Sequence, residues 1–267
     1  MLVEGRHFAP GAEPRALGHK ALAVNLSDLA AIGAAPKWAL LAIGLPQADE
    51  AWLKAFAAGF FALADRFGVD LVGGDTTRAP QLTITITAMG EVPASVALYR
   101  AGARPGDDIW VSGELGGAAL GLAHPEIAEA ARRLHEPEPR VELGERLRGL
   151  ANAAIDVSDG LAGDLGHILE RSRVGAVVEY SLIPRNSFFN KIKDPNLERD
   201  CVLSGGDDYE LLFTAAPARR ADLEALAREL DLPLTRIGAI QAGEARLAVL
   251  DAKGKPMTFK PGFDHFR

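Results

Sequence analysis

The sequence predicts a protein of two domains, an α/β domain followed by an α+β domain. In the first part, apolar residues at helical spacing alternate with short strand-like segments, which is the pattern of an α/β fold. A segment rich in Gly, Arg and Pro at 100–107 then has the composition of a linker, and places the two domains at 1–103 and 104–267. A length of 267 residues is enough for two domains with hydrophobic cores of their own.

Five segments of the first domain have a clear period. They are helices over 17–32 and 49–67 and strands over 38–45, 69–72 and 82–88. Gly33 and Gly68 end the two helices, and Asp49 is expected to cap the second. The strand over 38–45 is apolar throughout and is expected to be buried. The strand over 82–88 alternates Thr with apolar residues, so its Thr face is expected to pair with a partner subunit or to close a barrel.

The second domain is expected to mix strands and helices less regularly. Strands are predicted over 108–111, 176–180 and 209–214 and near Leu234 and Leu247, and helices over 141–150, 160–171 and 217–230. The polar segment 184–194 is expected to be a mobile loop. A glycine-rich turn at 112–117 enters a helix, but it lacks the Lys and Ser of a Walker P-loop and is not interpreted as one.

Composition excludes several classes of function. A net charge of −7 gives the chain no global positive field, so no nucleic acid and no anionic membrane is expected as a partner. No apolar run approaches the length of a bilayer span, and the first residues do not resemble a signal peptide. The single cysteine, Cys201, cannot form an internal disulfide and fits a reducing compartment, so we expect a cytoplasmic protein.

The segment 152–161 is the main candidate for a functional site. It places Asp156, Ser158 and Asp159 within four residues, at the predicted start of a helix. Unpaired N–H groups at a helix start attract an anion, and two close carboxylates repel each other unless a cation lies between them. These residues therefore predict a metal-bound phosphate. The alternative is that Asp159 is only the N-cap of the helix.

Two further aspartates lie in similar settings. Asp75 is predicted on the glycine-rich turn Gly73-Gly-Asp-Thr-Thr-Arg78, at the carboxyl end of a short strand, where α/β folds bind ligands; the alternative is an ordinary turn. Asp28 lies in the helix over 17–32, on one face with Asn25. A solvated helix face is the alternative there, and the apolar residues around Asp28 weaken it.

Five motifs together resemble the thiamine-monophosphate kinase family. They are Val24-Asn-Leu-Ser-Asp-Leu-Ala-Ala-Ile-Gly33, Gly73-Gly-Asp-Thr-Thr-Arg78, Ile155-Asp-Val-Ser-Asp-Gly-Leu161, Ser204-Gly-Gly-Asp-Asp-Tyr-Glu-Leu211 and Gly262-Phe-Asp-His-Phe266. The resemblance implies transfer of the γ-phosphoryl group of ATP to thiamine phosphate, giving thiamine diphosphate. It also implies the two-domain fold of aminoimidazole ribonucleotide synthetase, in a homodimer joined through a β-barrel to which the N-terminal domain contributes strands.

The resemblance also assigns roles to individual residues. It implies magnesium ligands at Asp28, Asp75, Asp156 and Asp159, with Asp156 and Asp159 at the reaction centre; ATP contacts at Gly74, Asp75, Arg100 and Ser158; and thiamine phosphate contacts at His7, Asp207 and Phe263. Several magnesium ions suit phosphoryl transfer, because its catalysis depends on positioning and charge neutralisation. Taken without the resemblance, His7 is a surface histidine, Asp207 a turn residue and Phe263 a packing residue.

The chain departs from the family at two places. Asp207 stands where the family usually has Glu, which shortens the carboxylate arm and predicts a water-bridged substrate contact. The second departure lies upstream of Leu2-Val-Glu-Gly5. Family members carry there a Gly-Asp-Asp motif and a Ser/Thr-Asp pair that supply further magnesium ligands, and this sequence does not contain these carboxylates. Without those carboxylates we expect weaker magnesium binding, a poor kinase and an unstable dimer.

Other classes of protein stay open at this stage. A related ATP-dependent synthetase, for aminoimidazole ribonucleotide or selenophosphate, would share the ATP site but need another acceptor pocket, and the terminal Phe-Asp-His-Phe argues against it. A hydrogenase-maturation dehydratase would need a C-terminal Cys. The non-enzymatic alternative is a pseudoenzyme that binds nucleotide or thiamine phosphate without turnover.

Overall fold

A computed structural model describes residues 1–260 and Gly262. Its strands are β1 (Leu2–Val3), β2 (Ala35–Leu45), β3 (Asp70–Arg78), β4 (Thr83–Glu91), β5 (Asp108–Ser112), β6 (Ala153–Asp156), β7 (Gly175–Glu179), β8 (Leu211–Ala215), β9 (Leu234–Gln241) and β10 (Leu247–Leu250). Its α-helices are α1 (Pro14–Ala31), α2 (Glu50–Phe67), α3 (Gly117–Ala123), α4 (Ala128–His135), α5 (Val141–Arg146), α6 (Leu161–Ser172), α7 (Phe189–Ile192), α8 (Pro195–Ser204) and α9 (Arg220–Glu229). None of these helices is both long and apolar enough to cross a bilayer.

Helix α1 is the central helix of the molecule. It starts three residues earlier than predicted, because the Glu13 carboxylate accepts the N–H groups of Arg15 and Ala16 and caps it. It packs against α2, α5, β4 and β6. The crossing with α2 is close: a Cβ on Gly18 would lie 2.0 Å from the carbonyl oxygen of Phe56. Glycine at this crossing lets the two backbones touch.

The N-terminal sheet has four strands in the order β1-β4-β2-β3. β2 and β3 are parallel and joined through α2, and the other pairs are antiparallel. The prediction that the strand over 38–45, which is β2, is buried is correct for only one face. Ala39 and Ile43 of β2 are buried, but Trp38 and Leu40 are 39% and 38% exposed. Within the described residues the sheet is open, with β1 and β3 at its edges.

Strand β3 corrects the prediction that Asp75 lies in a turn. Residues 73–78 continue the strand and pair with β2, where Asp75 lies opposite Ala42. The pairing is irregular at Val72, and Gly74 has φ of 150°. A Cβ on Gly74 would lie 1.8 Å from the carbonyl oxygen of Leu41. Glycine therefore allows the strand to pass close to β2, where the sequence pattern indicated a turn.

The C-terminal sheet has six strands in the order β10-β7-β9-β5-β8-β6, all neighbours antiparallel except β10 and β7. Its side chains alternate between two hydrophobic cores. Trp110 and Phe213 pack into the core that also contains Leu22 of α1, whereas Val111 and Leu212 pack into a second core with α6. The first core thus joins residues on both sides of the predicted boundary at 103/104.

The helices of the C-terminal part are less well predicted. The polar segment 184–194 was expected to be a loop but contains α7, and α5 ends at Arg146 rather than at residue 150. α4 and α8 were not predicted. The start of α8 carries a regular signal, since the Asp194 carboxylate accepts the N–H groups of Asn196 and Leu197 and Pro195 is the first helical residue.

Candidate functional site

A cavity of about 470 Å³ lies where α1 meets the linker and the C-terminal sheet. Asp28 reaches it from α1, Asp156 from the end of β6, Tyr99 and Arg100 from the connection between β4 and β5, and Arg171 from the end of α6. The structure therefore brings together Asp28, Arg100 and Asp156, three of the residues predicted to bind metal or ATP. The rest of the wall is apolar and includes Leu29, Ile32 and Leu98.

Asp28 and Asp156 act on each other electrostatically. Asp156 is 4% exposed, and burial followed by the charge of Asp28 raises its pKa to about 6. The hydroxyl of Ser27 donates to Oδ2 of Asp156 at 2.7 Å and acts in the opposite direction. Asp28 is exposed through the mouth of the cavity, yet the protein around it still desolvates its carboxylate. That desolvation raises its pKa, with Arg100 partly offsetting it.

These two carboxylates lack a bonded cation. Among the described residues, Asp28 makes no hydrogen bond or ion pair, and the one side chain bonded to Asp156 is neutral Ser27. A cation placed between them would relieve the repulsion by which Asp28 raises the pKa of Asp156. The cavity thus has the electrostatic character of a cation site beside the guanidinium of Arg100.

The head of α6 differs from its predicted form. Gly160, and not Asp159, is the N-cap residue, so the alternative in which Asp159 caps the helix is wrong. The N–H groups of Ser158 and Asp159 both donate to Oδ2 of Asp164 at 3.0 Å. Burial raises the pKa of Asp164 to about 7, and the two N–H groups act against that rise. A carboxylate of the chain thus binds two N–H groups just before the helix, so these two donors are not available to a phosphate.

In the glycine-rich turn before α3, backbone N–H groups are likewise bound by a carboxylate of the chain. The carboxylate of Asp208 accepts the N–H groups of Gly116 at 2.6 Å and Ala118 at 3.2 Å. Next to it, buried Glu210 accepts the Ser112 hydroxyl at 2.5 Å and two bonds from the guanidinium of Arg140. Because the N–H groups of Gly116 and Ala118 already bind Asp208, these two donors are not available to a phosphate.

The predicted metal ligands do not all meet. Asp75 is exposed on the edge strand β3 and is not part of the cavity wall. Within residues 1–260 and Gly262, no three His, Cys, Asp or Glu side chains form a group able to hold a metal ion. Of the four aspartates, the structure places Asp28 and Asp156 in one cavity, Asp159 at the head of α6, and Asp75 on the sheet edge.

The predicted substrate residues have different surroundings. Asp207 has a left-handed backbone with φ of 69°, and its carboxylate is bonded by Lys20 and Tyr209. Nδ1 of His7 accepts the N–H of Val3 in the turn after β1. Phe263 lies outside the described residues.

The sequence analysis missed three residues that hold this site in place, namely Ser27, Asp164 and Lys20. Ser27 was detectable, since it directly precedes Asp28 in the same motif. Lys20 is two turns from Ser27 on the same helix, but a lysine among alanines and leucines gives no sign that it is buried.

Known protein families and relatives match nearly the whole chain. The family model of the AIR synthase related protein, N-terminal domain, matches residues 1–92, and the model of its C-terminal domain matches residues 104–249. The thiamine-monophosphate kinase of Escherichia coli K12 is 44% identical over 276 aligned residues, which cover 99% of this chain and 84% of that protein.

Two solved structures are also similar. The thiamine-monophosphate kinase from Stenotrophomonas maltophilia K279a has a TM-score of 0.90 at 48% identity, over 96% of this chain and 84% of that one. The structure of AaThiL complexed with AMPPCP and TMP has a TM-score of 0.86 at 31% identity, over 99% of this chain and 85% of that one.

Proposed function

The chain belongs to the thiamine-monophosphate kinase family, and on that premise we propose that it transfers the γ-phosphoryl group of ATP to thiamine phosphate, forming thiamine diphosphate and ADP. The observation that supports this most directly is the cavity lined by Asp28, Asp156 and Arg100. It combines two carboxylates that lack a bonded cation with a guanidinium, which are the groups that a magnesium-bound polyphosphate needs.

Asp28 and Asp156 would hold magnesium in this cavity. Magnesium prefers oxygen ligands and is usually bound by one or two carboxylates together with substrate phosphates and water. A pair of aspartates is therefore a sufficient protein contribution, although the described residues contain no larger group of ligands. Bound magnesium would neutralise charge on the phosphates. Asp159 and Asp75, each with a carboxylate not bonded to another described residue, would serve further ions.

The chain's own residues would position ATP. Arg100 is part of the cavity wall, and its planar guanidinium can bind two phosphate oxygens at once. The apolar wall at Leu29, Ile32 and Leu98 is suited to the flat base of the nucleotide. The backbone of Ser158 is already engaged by Asp164, so Ser158 would contact ATP through its hydroxyl.

The acceptor would bind near Asp207, which is joined to the Ser158 segment: the Asp207 N–H donates to the carbonyl of Ser158 at 2.9 Å. His7 and Phe263 are the other residues that we propose for thiamine phosphate. The related AaThiL structure contains both AMPPCP and TMP, which supports binding of nucleotide and acceptor together.

We also propose a cytoplasmic homodimer joined through the outer face of the N-terminal sheet. Trp38, Leu40, Val72 and Met89 are exposed apolar residues on its strands β2, β3 and β4. An apolar sheet face of this kind is normally covered by another surface. A second copy of the chain is the partner that would close the open sheet into a barrel.

A direct assay of both products tests the proposed reaction. The chain is incubated with ATP, magnesium and thiamine phosphate, and thiamine diphosphate and ADP are separated by chromatography. Equal amounts of both products are expected, and none when thiamine replaces thiamine phosphate. Binding of thiamine phosphate without ATP consumption would instead support the pseudoenzyme. ATP consumption without thiamine diphosphate would point to a synthetase. The similarity to the kinases supports neither alternative.

A further inference from the structure

Lys20 of α1 is a lysine almost completely removed from solvent. Its side chain is 4% exposed, and its Nζ lies 3.0 Å from Oδ2 of Asp207. Lysine is rarely buried unless its charge is compensated, and Asp207 is the one carboxylate that it contacts among the described residues. The pair joins residues 187 positions apart in the sequence, one in the N-terminal part and one in the C-terminal part.

Asp207 is held at each of its two oxygens. Lys20 donates to Oδ2, and the hydroxyl of buried Tyr209 donates to Oδ1 at 2.9 Å. Both Asp207 and Tyr209 have a left-handed backbone, with φ of 69° and 51°. Such a conformation costs free energy for residues other than Gly, and persists where surrounding bonds enforce it.

The carboxylate of Asp207 is nevertheless accessible. Its side chain is 34% exposed, whereas that of Lys20 is 4% exposed. A carboxylate has about four lone-pair positions, and the two bonds to Lys20 and Tyr209 use only two of them. The remaining lone pairs are therefore presented to solvent in a fixed direction, which is what a ligand with N–H donors requires.

Helix α1 links this carboxylate to the cavity. Lys20 and Ser27 are seven residues apart, which is two turns, so they lie on the same face of α1. Lys20 holds Asp207, and Ser27 holds Asp156. One rigid helix therefore sets the position of a carboxylate on the proposed acceptor side and of another on the proposed magnesium side.

We propose that Lys20 is a positioning residue for the acceptor, which fixes the Asp207 carboxylate so that it receives donor groups of thiamine phosphate. This inference rests on the proposed function. A purely structural Lys20 would stabilise the fold without affecting one substrate more than the other. The two roles therefore differ in which KM changes.

Steady-state kinetics of Lys20→Met and Lys20→Arg provide the test. Lys20→Met is expected to raise the KM for thiamine phosphate by about 10- to 100-fold and to leave the KM for ATP unchanged. Lys20→Arg keeps the charge and is expected to recover part of the loss. Lys54→Met, which removes an exposed lysine paired with Glu50, is the matched control and should behave like the wild type.

A double-mutant cycle identifies the route of the effect. If Lys20 acts through Asp207, the double variant Lys20→Met/Asp207→Asn should be no worse than the more impaired single variant. Multiplying losses, or equal rises in both KM values, would overturn the proposal. Tyr209→Phe keeps Lys20 and removes the second bond to Asp207, so it tests the same carboxylate if Lys20→Met fails to fold. A smaller but selective rise in the KM for thiamine phosphate is expected, and an unchanged KM would count against the proposal.

Calorimetry of thiamine phosphate binding, together with the kinetics above, separates this proposal from the proposed function. If the wild-type chain binds no thiamine phosphate, the proposed function fails and the proposal about Lys20 fails with it. If the wild type binds and phosphorylates thiamine phosphate while Lys20→Met keeps the same KM, only the role of Lys20 is disproved.

Discussion

The carboxylates of this chain fall into two groups with opposite surroundings. Asp164, Asp208 and Glu210 have oxygens bonded to backbone N–H groups or to Arg140. Asp28 and Asp156 line one cavity, repel each other, and have no bonded cation among the described residues. We call these the bonded group and the cavity group. Asp156 lies in Ile155-Asp-Val-Ser-Asp-Gly-Leu161 and Asp208 in Ser204-Gly-Gly-Asp-Asp-Tyr-Glu-Leu211, and both motifs combine Gly with Asp, so residue type does not distinguish the two groups.

The difference teaches what each group does for the protein. A bonded carboxylate depends on its partner, since removing that partner leaves a buried charge uncompensated. A pair of repelling carboxylates costs stability, and such a cost is kept where a ligand repays it. Substitutions of the partners that bond the first group should therefore lower stability, and substitutions in the cavity group should lower activity.

The largest effect is expected when Arg140 is removed from Glu210. Arg140→Met leaves Glu210 buried with only the Ser112 hydroxyl, and should lower the free energy of unfolding by about 3–5 kcal/mol in urea titrations. Lys54→Met, at an exposed ion pair, is the control and should change it little. A loss below about 1 kcal/mol for Arg140→Met would mean that Glu210 does not depend on this partner.

Asp156→Asn should produce the reverse pattern. It keeps an oxygen to accept from Ser27 but removes the charge, so kcat/KM should fall by about 10²- to 10³-fold while the free energy of unfolding stays constant or rises. Asp65→Asn, on the exposed side of α2, is the control. A stability loss as large as that of Arg140→Met would place Asp156 in the bonded group.

Ser27→Ala tests the one side-chain hydrogen bond that the cavity group makes among the described residues. Without its hydroxyl, Asp156 loses the bond that orients it, and the magnesium concentration for half-maximal activity should rise by about 10- to 100-fold. Titration of activity against magnesium at saturating ATP measures this. Ser181→Ala, an exposed serine, should leave the requirement unchanged. An equal magnesium requirement in Ser27→Ala would show that Asp156 is oriented without Ser27.

The smallest expected effect is the pH dependence of Asp164. Burial raises its pKa to about 7 from an ordinary 3.8, so the folded state holds this proton more tightly than the unfolded state. The stability that this provides is present below pH 4 and lost as pH rises towards 7. The difference in free energy of unfolding between Asp164→Asn and the wild type should therefore change with pH. It should shift in favour of the variant by about 1–3 kcal/mol when the pH is raised from 5 to 8. A difference that does not change with pH would contradict the raised pKa.

Much of the fold could be predicted because it depends on local signals. Asp49 caps α2 and Gly68 ends it in a left-handed conformation, as the pattern of residues indicated. The predictions failed where packing overrides local chemistry. Gly73-Gly-Asp75 has the composition of a turn, yet it continues β3, because a backbone that passes so close to Leu41 requires glycine.

The sequence by itself determined the order of most elements, the family, and the aspartates that are candidates for the site. The elements follow from residue spacing along the chain, which is a local property, whereas the family follows from the resemblance of five motifs. Only the tertiary structure decided which carboxylates are neutralised by the chain and which remain for a ligand. Asp164 binds the head of α6, Asp208 binds the start of α3, and Lys20 reaches Asp207 across 187 positions. The charge that a carboxylate presents depends on such distant partners, and packing alone brings them together.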